Sequence, residues 1–520
     1  MIRASRLAAL ALAFGIGACG APRLSGGDQL AYQPEDAAEV FATGWDNISE
    51  YYIDPVRVSE LAVHGLQGLR QIDGDLAVSR EGNELRLSRR STVLRSFPAP
   101  ADDDVARWGR VSAEIVMVGR SNSEALNSAS PDNVYKTVFE TAFKDLDRFS
   151  RYADRQQARE NRAFREGFGG IGVVLAERDK RIEFGEVMAE GPAARAGLAN
   201  GDILLTVNGE AVTGLEITAV VQKLRGRIAT AVALTVLRGN RELSVTVNRA
   251  KIVPTTVAVR RDGNAIIARV SGFNQDTAVS LARQIEEMRR QIGPAFSGVI
   301  LDMRGNPGGL LDQAINVADL FISEGEIIST RGRHPHSLQR YDARGDDVAA
   351  GQPVIVLING GSASAAEVVA AALQDSGRAL VLGTTSFGKG TVQTVIRLPN
   401  EGEMTLTWAK LYAPSGYALH ALGVVPEICT ADYAGDPAQI IADLRSGTLR
   451  PGALAAVRRA AGSQPTLPGN APTCPRESKH GSEFDLEVAR RLLADPPTLS
   501  RAREASVVAM ADPTARPRRR

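Results

Sequence analysis

Three short stretches of this chain hold residue types that do acyl-transfer chemistry. The run NGGSAS, residues 359–364, presents two serines on almost no side-chain bulk. A serine hydroxyl attacks a carbonyl only when a base takes its proton. The run SFGKGTVQ, 386–393, offers Lys389 between two glycines that permit close packing. Lysine serves as a base when burial disfavours its ammonium form, and serine–lysine pairs are a variant of triad logic. Gln393 stands four residues beyond Lys389, on the same face of an extended strand, where its amide would orient the amine. The run RGNPGG, 304–309, supplies Gly308 and Gly309 at the expected opening of a helix, their N–H groups unshielded by side chains. An anionic tetrahedral intermediate needs such donors. Ala365, just past the serines in a helix's first turn, would give a second one. On these grounds either Ser362 or Ser364 fits the nucleophile. Taken singly, each run has a plainer reading, as a capped turn or a solvated lysine; only their convergence makes a site.

Convergence follows from the elements around them. From about residue 265 the pattern alternates strand and helix: GVILDMR, then GLLDQAINVADLFI; PVIVLIN, then SASAAEVVAAALQDSG; then ALVLGTT. Such alternation predicts a mostly parallel sheet with right-handed crossovers, in which sites form beyond the strands' carboxyl ends. Each of the three runs follows one of these strands, so all three fall on one rim. Residues 166–250 are different: short β-rich runs, one helical run (ITAVVQKLRG) and an Asn208-Gly209 tight-turn signal make a small β-rich module. Residues 35–165 are mostly helical in pattern, with a hairpin expected about Gly82-Asn83 and a loop at SFPAPADDD. Residues 431–520 read as an Ala-, Pro- and Arg-rich extension with two helical stretches and a disordered tail. That extension and residues 66–120 carry no functional assignment.

With 520 residues, 44% apolar and a formal charge of +1, the chain has room for several domains and no bulk electrostatic case for nucleic acid. The N-terminus carries Arg3 and Arg6, an apolar stretch from Leu7 to Ile16, then Gly17-Ala18-Cys19. That reads as a secretory leader, residues 1–19, followed by a polar tether, 20–34. The small residues before Cys19 resemble a lipoprotein signal, which would make Cys19 a lipidated membrane anchor facing the periplasm or cell exterior. Export leaves Cys429 and Cys474 as a candidate disulfide. No metal site is expected, since His334 and His336 flank a proline in a polar loop. No cofactor is expected either. GFGGIG, 167–172, precedes a strand where a dinucleotide fingerprint needs a helix, and GTTSFGKG, 383–390, has Gly390 where a phosphate loop needs Ser or Thr. His420 is the best of five histidines for a serine–histidine system, and no strand end presents it convincingly.

Together, LDMRGNPGG, NGGSASAAE, SFGKGTVQ and YAPSG…LGVVPE resemble, in order, the signature blocks of the carboxyl-terminal processing (tail-specific) serine proteases. DLDRFSRY, 145–152, resembles that family's upstream block, and GPAARAGLANGDILLTVNGEAV resembles a PDZ domain, which the family inserts before its catalytic core. The resemblance covers roughly residues 130–430. It implies an α/β fold: a crotonase-like mixed or parallel sheet with helices over 251–430, an inserted PDZ domain over 166–250 and a helical N-terminal region. In the family the serine precedes the lysine by 25 residues, which selects Ser364, with Lys389 as base and Gln393 as its partner. It also implies that Gly170-Ile171-Gly172-Val173 hold a substrate's C-terminal carboxylate, the peptide adding to the sheet edge. Ala366 and Gly305 depart from the family pattern, where a serine and a polar residue are common. The expected partners are proteins or peptides with free C-termini, the membrane through Cys19, and a second copy or an activating protein. Two rival readings remain at this point: a catalytically silent PDZ scaffold, and a non-proteolytic acyl hydrolase on the same core.

Overall fold

A computed structural model describes residues 32–453, 455–456 and 473–511. The expected leader, Cys19, most of the expected tether and the C-terminal tail fall outside the described residues. Among those described, no helix is long and apolar enough to cross a membrane.

The N-terminal region is built on α1 (Pro34–Tyr51) and α2 (Val58–Gln67), a three-stranded meander β1 (Leu76–Glu81), β2 (Glu84–Arg89) and β3 (Thr92–Pro98), then α3 (Val105–Asn122), α4 (Glu124–Ser128) and α5 (Pro131–Phe143). α1 buries Ala37, Val40, Phe41, Trp45 and Ile48 at helical spacing. The β1–β2 hairpin turns at Gly82-Asn83, with Glu81 opposite Glu84. The third strand was not foreseen: Ser96-Phe97-Pro98, read as the start of a loop, pairs with Glu84–Arg86 because Phe97 is buried in the same core as Trp108.

β4 (Arg151–Ala153) and α6 (Arg155–Glu166) lead into the β-rich module. It contains β5 (Phe168–Gly170), β6 (Val173–Arg178), β7 (Arg181–Val187), α7 (Pro192–Arg195), β8 (Ile203–Val207), β9 (Glu210–Ala211), α8 (Ile217–Leu224), β10 (Ala231–Arg238), β11 (Arg241–Asn248) and β12 (Ala250–Ile252). The sheet runs β11-β10-β8-β7-β6, and β12 pairs with β5 to close the module's neck. Val232, Leu234 and Val236 alternate inward from β10 onto Val220 and Leu224 of α8. Asn208 and Gly209 both take positive φ, 51° and 82°, as a two-residue turn between β8 and β9 demands.

The core sheet holds β13 (Val257–Asp262), β14 (Ala265–Val270), β15 (Gly298–Asp302), β18 (Val354–Ile358), β19 (Ala379–Gly383) and β22 (Ile428–Cys429) in that spatial order. Only β13 and β14 are antiparallel. Helices α9 (Thr277–Ile292), α10 (Leu311–Asp319) and α11 (Ala365–Asp375) cover one face, meeting Val299, Leu301, Val354, Val356 and Val381. The other face, Ile300, Ile355, Leu357, Leu380 and Leu382, is covered by α12 (Pro437–Ser446) and by helices at 482–493 and 496–511. The helical stretches of the extension are thus the second layer that a parallel sheet, buried on both sides, requires. Beside the core lies a smaller sheet in the order β17-β16-β21-β20, made of β16 (Glu326–Arg331), β17 (Gln339–Asp342), β20 (Thr391–Arg397) and β21 (Glu403–Tyr412), with β4 added to β21.

Candidate active site

β15, β18 and β19 are adjacent and parallel, so the segments following them emerge on one rim. Hydrogen bonds stitch the first two segments together. Asn359 Oδ1 accepts the N–H of Gly305 (2.8 Å), and the Asn306 carbonyl accepts that of Ala363 (2.9 Å). Ser362 is fully buried; its hydroxyl donates to the Met303 carbonyl (2.8 Å) and accepts the Asn359 N–H (3.0 Å). It ties the turn to the end of β15. Ser364 is half-buried and sits at the N-cap of α11 with φ 56° and ψ −115°, a conformation rarely taken by a residue with a side chain. Its N–H donates to Glu367 Oε2 (2.7 Å). The alanines of α11 let the helix lie close to the sheet; Ala365 to Gln374 are all buried.

Ser364, Lys389, Gln393, Gly308, Gly309 and Ala365 line one cavity of about 380 Å³. Lys389 lies in the loop before β20, its amine 5.3 Å from the centre of the Phe149 ring. Gly390 admits no side chain, because a Cβ there would stand 2.0 Å from the His420 nitrogen. Burial pushes the Lys389 amine below the usual lysine range, and the Arg151 guanidinium pushes the same way; the carboxylates of Glu367 and Asp147 oppose them. Ser364 and Lys389 both line the cavity, and no hydrogen bond joins their side chains.

Two expectations need correction. Gln393 lines the cavity together with Lys389 and Thr391, but its amide makes no hydrogen bond to the lysine amine. The Gln393 amide donates instead to Thr391 Oγ1 (2.9 Å) and Thr407 Oγ1 (3.3 Å). Gly308 and Gly309 do not open a helix either, since α10 begins at Leu311. They form an extended lead-in held by Phe273, whose N–H donates to the Gly308 carbonyl and whose carbonyl accepts the Leu310 N–H. The Gly308 N–H is spent on Asn306 Oδ1 (2.8 Å). In a parallel bridge of this kind the Gly309 N–H faces away from Phe273, and no acceptor among the described residues binds it. Ala365, the first residue of α11, keeps its N–H as an orphan helix-start donor. A Cβ on Gly308 would lie 2.8 Å from Ser364 Cβ and 3.0 Å from the Ala365 nitrogen, which shows how closely the two donor segments approach.

Several neighbours escaped the sequence reading. Arg151, Asn161, Phe164 and Arg165 complete the cavity wall from β4 and α6. Asp147 accepts from the Phe149 and Ser150 N–H groups and from Thr407 Oγ1, so the upstream block buttresses the floor under Gln393. Glu367 had a local signal, the S-x-x-E spacing of a capping box starting at Ser364. His420 does not line the cavity; burial lowers its pKa, and its Nδ1 is without a partner.

In the β-rich module, β6 is the open edge of the sheet, with α8 packed beside it. Gly170 ends β5, Ile171 is buried, Gly172 takes φ 77°, and Val173 starts β6. The carbonyls of Ile171 and Gly172 accept from Ala193 and Met188, and the N–H groups of these two residues meet no acceptor among the described residues.

Comparison with known proteins gives these features a family. Residues 265–430 match the model of Peptidase family S41, and residues 183–238 match that of the PDZ domain. The chain carries an S41 peptidase domain and a PDZ domain. A carboxy-terminal-processing protease of Bartonella bacilliformis is 40% identical over 287 residues, covering 54% of this chain and 66% of the relative. A probable CtpA-like serine protease of Staphylococcus aureus is 32% identical over 314 residues, covering 59% and 62% respectively. The chain therefore spans a little under two thirds of the length of these curated relatives. Among solved structures, the photosystem II D1 C-terminal processing protease aligns over 75% of this chain and 92% of its own, at 22% identity and a TM-score of 0.37. The S41 match contains Gly308, Gly309, Ser364, Ala365, Lys389, Gln393 and Cys429. The PDZ match begins after Gly170–Val173, although Val173 pairs with Val187 in the same sheet.

Proposed function

We propose that this chain is a serine endopeptidase that cuts proteins near their C-termini, with Ser364 as nucleophile and Lys389 as base. The observation that carries the reading is the meeting, in one cavity, of a hydroxyl on a strained turn, a half-buried amine and the unspent N–H groups of Gly309 and Ala365. In this reading Lys389, neutral through desolvation, swings from the Phe149 ring to take the Ser364 proton as Oγ attacks the scissile carbonyl. The carbonyl oxygen becomes an anion bound by Gly309 and Ala365. Collapse expels the amine, which takes the proton from Lys389 and leaves an ester on Ser364. Water, deprotonated by Lys389, then hydrolyses the ester and restores the serine. Gln393 acts from the cavity wall through Thr391 and Thr407 rather than by a direct hold on the amine. The PDZ domain captures the substrate's free carboxylate on the Gly170–Val173 loop, the peptide adding along β6.

The protein is proposed to work outside the cytoplasm, anchored through Cys19. The Cys429–Cys474 disulfide, which fastens β22 to the segment before the helix at 482–493, fits an oxidising compartment.

The test is hydrolysis of a peptide with a free C-terminus and of its amidated twin by wild-type, Ser364→Ala and Lys389→Ala proteins. Wild type is expected to cleave the free peptide faster, and both variants are expected to lose turnover while keeping their melting temperature. Binding without cleavage by wild type would favour a PDZ scaffold, and turnover of small esters alone an acyl hydrolase.

A further inference from the structure

The Glu367 carboxylate is fully buried on the first turn of α11 and touches both chemistry-bearing segments. Its Oε2 accepts the backbone N–H of Ser364 (2.7 Å) and that of Lys389 (2.9 Å). Its Oε1 accepts the N–H of Gly388 (2.6 Å) and the hydroxyl of Ser386 (2.5 Å). The Ser386 oxygen in turn accepts the Val424 N–H (2.7 Å), so its hydrogen points to Glu367. All four contacts therefore donate. A proton on Oε2 would face two N–H groups, and one on Oε1 would have to displace the Ser386 hydrogen. Burial pushes this carboxyl's pKa up, but the cage is built for the anion.

We infer that Glu367 is the positioning residue of the site, an ionised strut that fixes the Ser364 and Lys389 backbones, which belong to different crossovers, against one another. The inference rests on the serine–lysine reading above and deepens it. One other bond, from the Phe387 N–H to the Ser362 carbonyl (2.9 Å), joins the same two loops, yet it reaches neither residue 364 nor residue 389. The strained backbone of Ser364 is held through its N–H, and that backbone also aims the Ala365 N–H into the cavity. A carboxylate one turn into the helix is the shortest side chain that can reach back to the N-cap and across to the next loop. Glutamine cannot replace it. Each of the two oxygens faces at least one backbone N–H, so wherever an amide –NH₂ is placed it meets a donor.

The experiment uses the full chain with Glu367→Gln and Ser386→Ala, and Ser364→Ala as control. Folding is checked by near-UV circular dichroism and by binding of a free-C-terminus peptide to the PDZ domain. For Glu367→Gln, kcat is expected to fall on the order of 100-fold, the scale of an ångström-sized misplacement, with KM little changed. The acidic limb of the pH–rate profile is expected to move to lower pH. Lys389 is faced by Arg151 and Arg165 from the cavity wall, by Asp147 and by the Phe149 ring, and Glu367 is one of only two anions holding its pKa up. A purely structural role would lower the folded fraction and leave that limb in place. Hydrogen exchange supplies a readout independent of turnover: the Ser364 and Lys389 amides are expected to lose protection at least tenfold, while the β18 amides keep theirs. A folded Glu367→Gln protein with wild-type kcat, or with both amides still protected, overturns the inference. Should that variant not fold, Ser386→Ala decides: a lowered kcat at constant KM supports it, and an unchanged kcat overturns it. Should wild type hydrolyse nothing, the serine–lysine reading fails by itself, and amide protection in Glu367→Gln still judges the strut.

Discussion

The two serines of the NGGSAS turn are expected to fail in opposite ways. Ser362 is a structural tie. Replacing it by alanine deletes the bond to the Met303 carbonyl and the one from the Asn359 N–H. The Met303 carbonyl keeps a second partner, the Asn306 N–H at 3.2 Å, so it is not orphaned. The Asn359 N–H, half-buried, loses its acceptor outright. One orphaned donor and one lost bond sum to about 2 kcal/mol, a fall of roughly 4–8 °C in melting temperature for a domain of this size. Turnover per folded molecule is expected to stay within about tenfold of wild type, since the hydroxyl does not line the cavity. Ser364 is the reverse case. Its φ of 56° and ψ of −115° cost on the order of 1–3 kcal/mol in a residue with a Cβ. Ser364→Gly is expected to recover about 1 kcal/mol of that strain and to raise the melting temperature, while hydrolysis is abolished. Calorimetry paired with peptide hydrolysis reads both axes on the same samples. A stable, inactive Ser362→Ala protein, or a Ser364→Gly protein that melts well below wild type, would refute the division of labour.

Three further outcomes are expected. Gly309→Ala should inactivate and destabilise together, because a Cβ at φ 149° would stand 2.0 Å from the Phe273 carbonyl oxygen and force away the segment carrying the free N–H; a folded, active variant would remove Gly309 from the site. The rate should rise with pH through the depressed pKa of Lys389, because only the neutral amine takes a proton; Arg151→Gln removes a cation that holds that pKa down, so the limb should move to higher pH. Reducing the Cys429–Cys474 bond, which closes a 45-residue separation, should cost up to about 4 kcal/mol by loop entropy, and limited proteolysis should then cut first near the helices at 482–493 and 496–511.

The rim was legible in the sequence because it depends on period and topology alone. Five-residue apolar strands such as Val354–Ile358 and Ala379–Gly383 are buried on both faces, and their alternation with helices leaves few ways to connect them. What lay beyond reach depended on single hydrogen bonds. Which glycine donates turns on where the Asn306 side chain points, and no spacing rule reports that. Gln393 was expected to hold the lysine's amine; it does face the same cavity, but its amide turns to Thr391 and Thr407, a choice of partner that spacing does not report. The extension after residue 431 has helical pattern but no chemistry, and its purpose appears only once the second face of the sheet is seen to need Leu486, Val488, Leu492 and Leu499. Glu367 was readable as a helix-capping residue; its reach to Gly388 and Lys389 was not, since those residues come from the next crossover.

Under the proposed mechanism, a lysine base sets a condition that accounts for the shape of the cavity wall. To be neutral near neutral pH it must lose water, and a neutral amine then has little to hold it in place. The wall supplies both needs with different residues. Phe149 gives the side chain an apolar seat, and Arg151 and Arg165 surround the cavity with positive charge that disfavours a further cation. Arg165 is paired with Glu403 at 3.0 Å, a carboxylate it shares with Arg162 (2.8 Å), whereas Arg151 hydrogen-bonds only the Phe149 carbonyl and makes no ion pair among the described residues. Arg151 is therefore the cation whose field bears on the amine. Because β4 hangs from β21 while Lys389 lies in the loop that leads into β20, the strength of that field depends on the pairing of the smaller sheet, not on the core sheet that carries Ser364. In the proposed reading, nucleophile and base are thus tuned by separate sheets, and a change confined to β4 is expected to alter the base while leaving the serine's geometry alone.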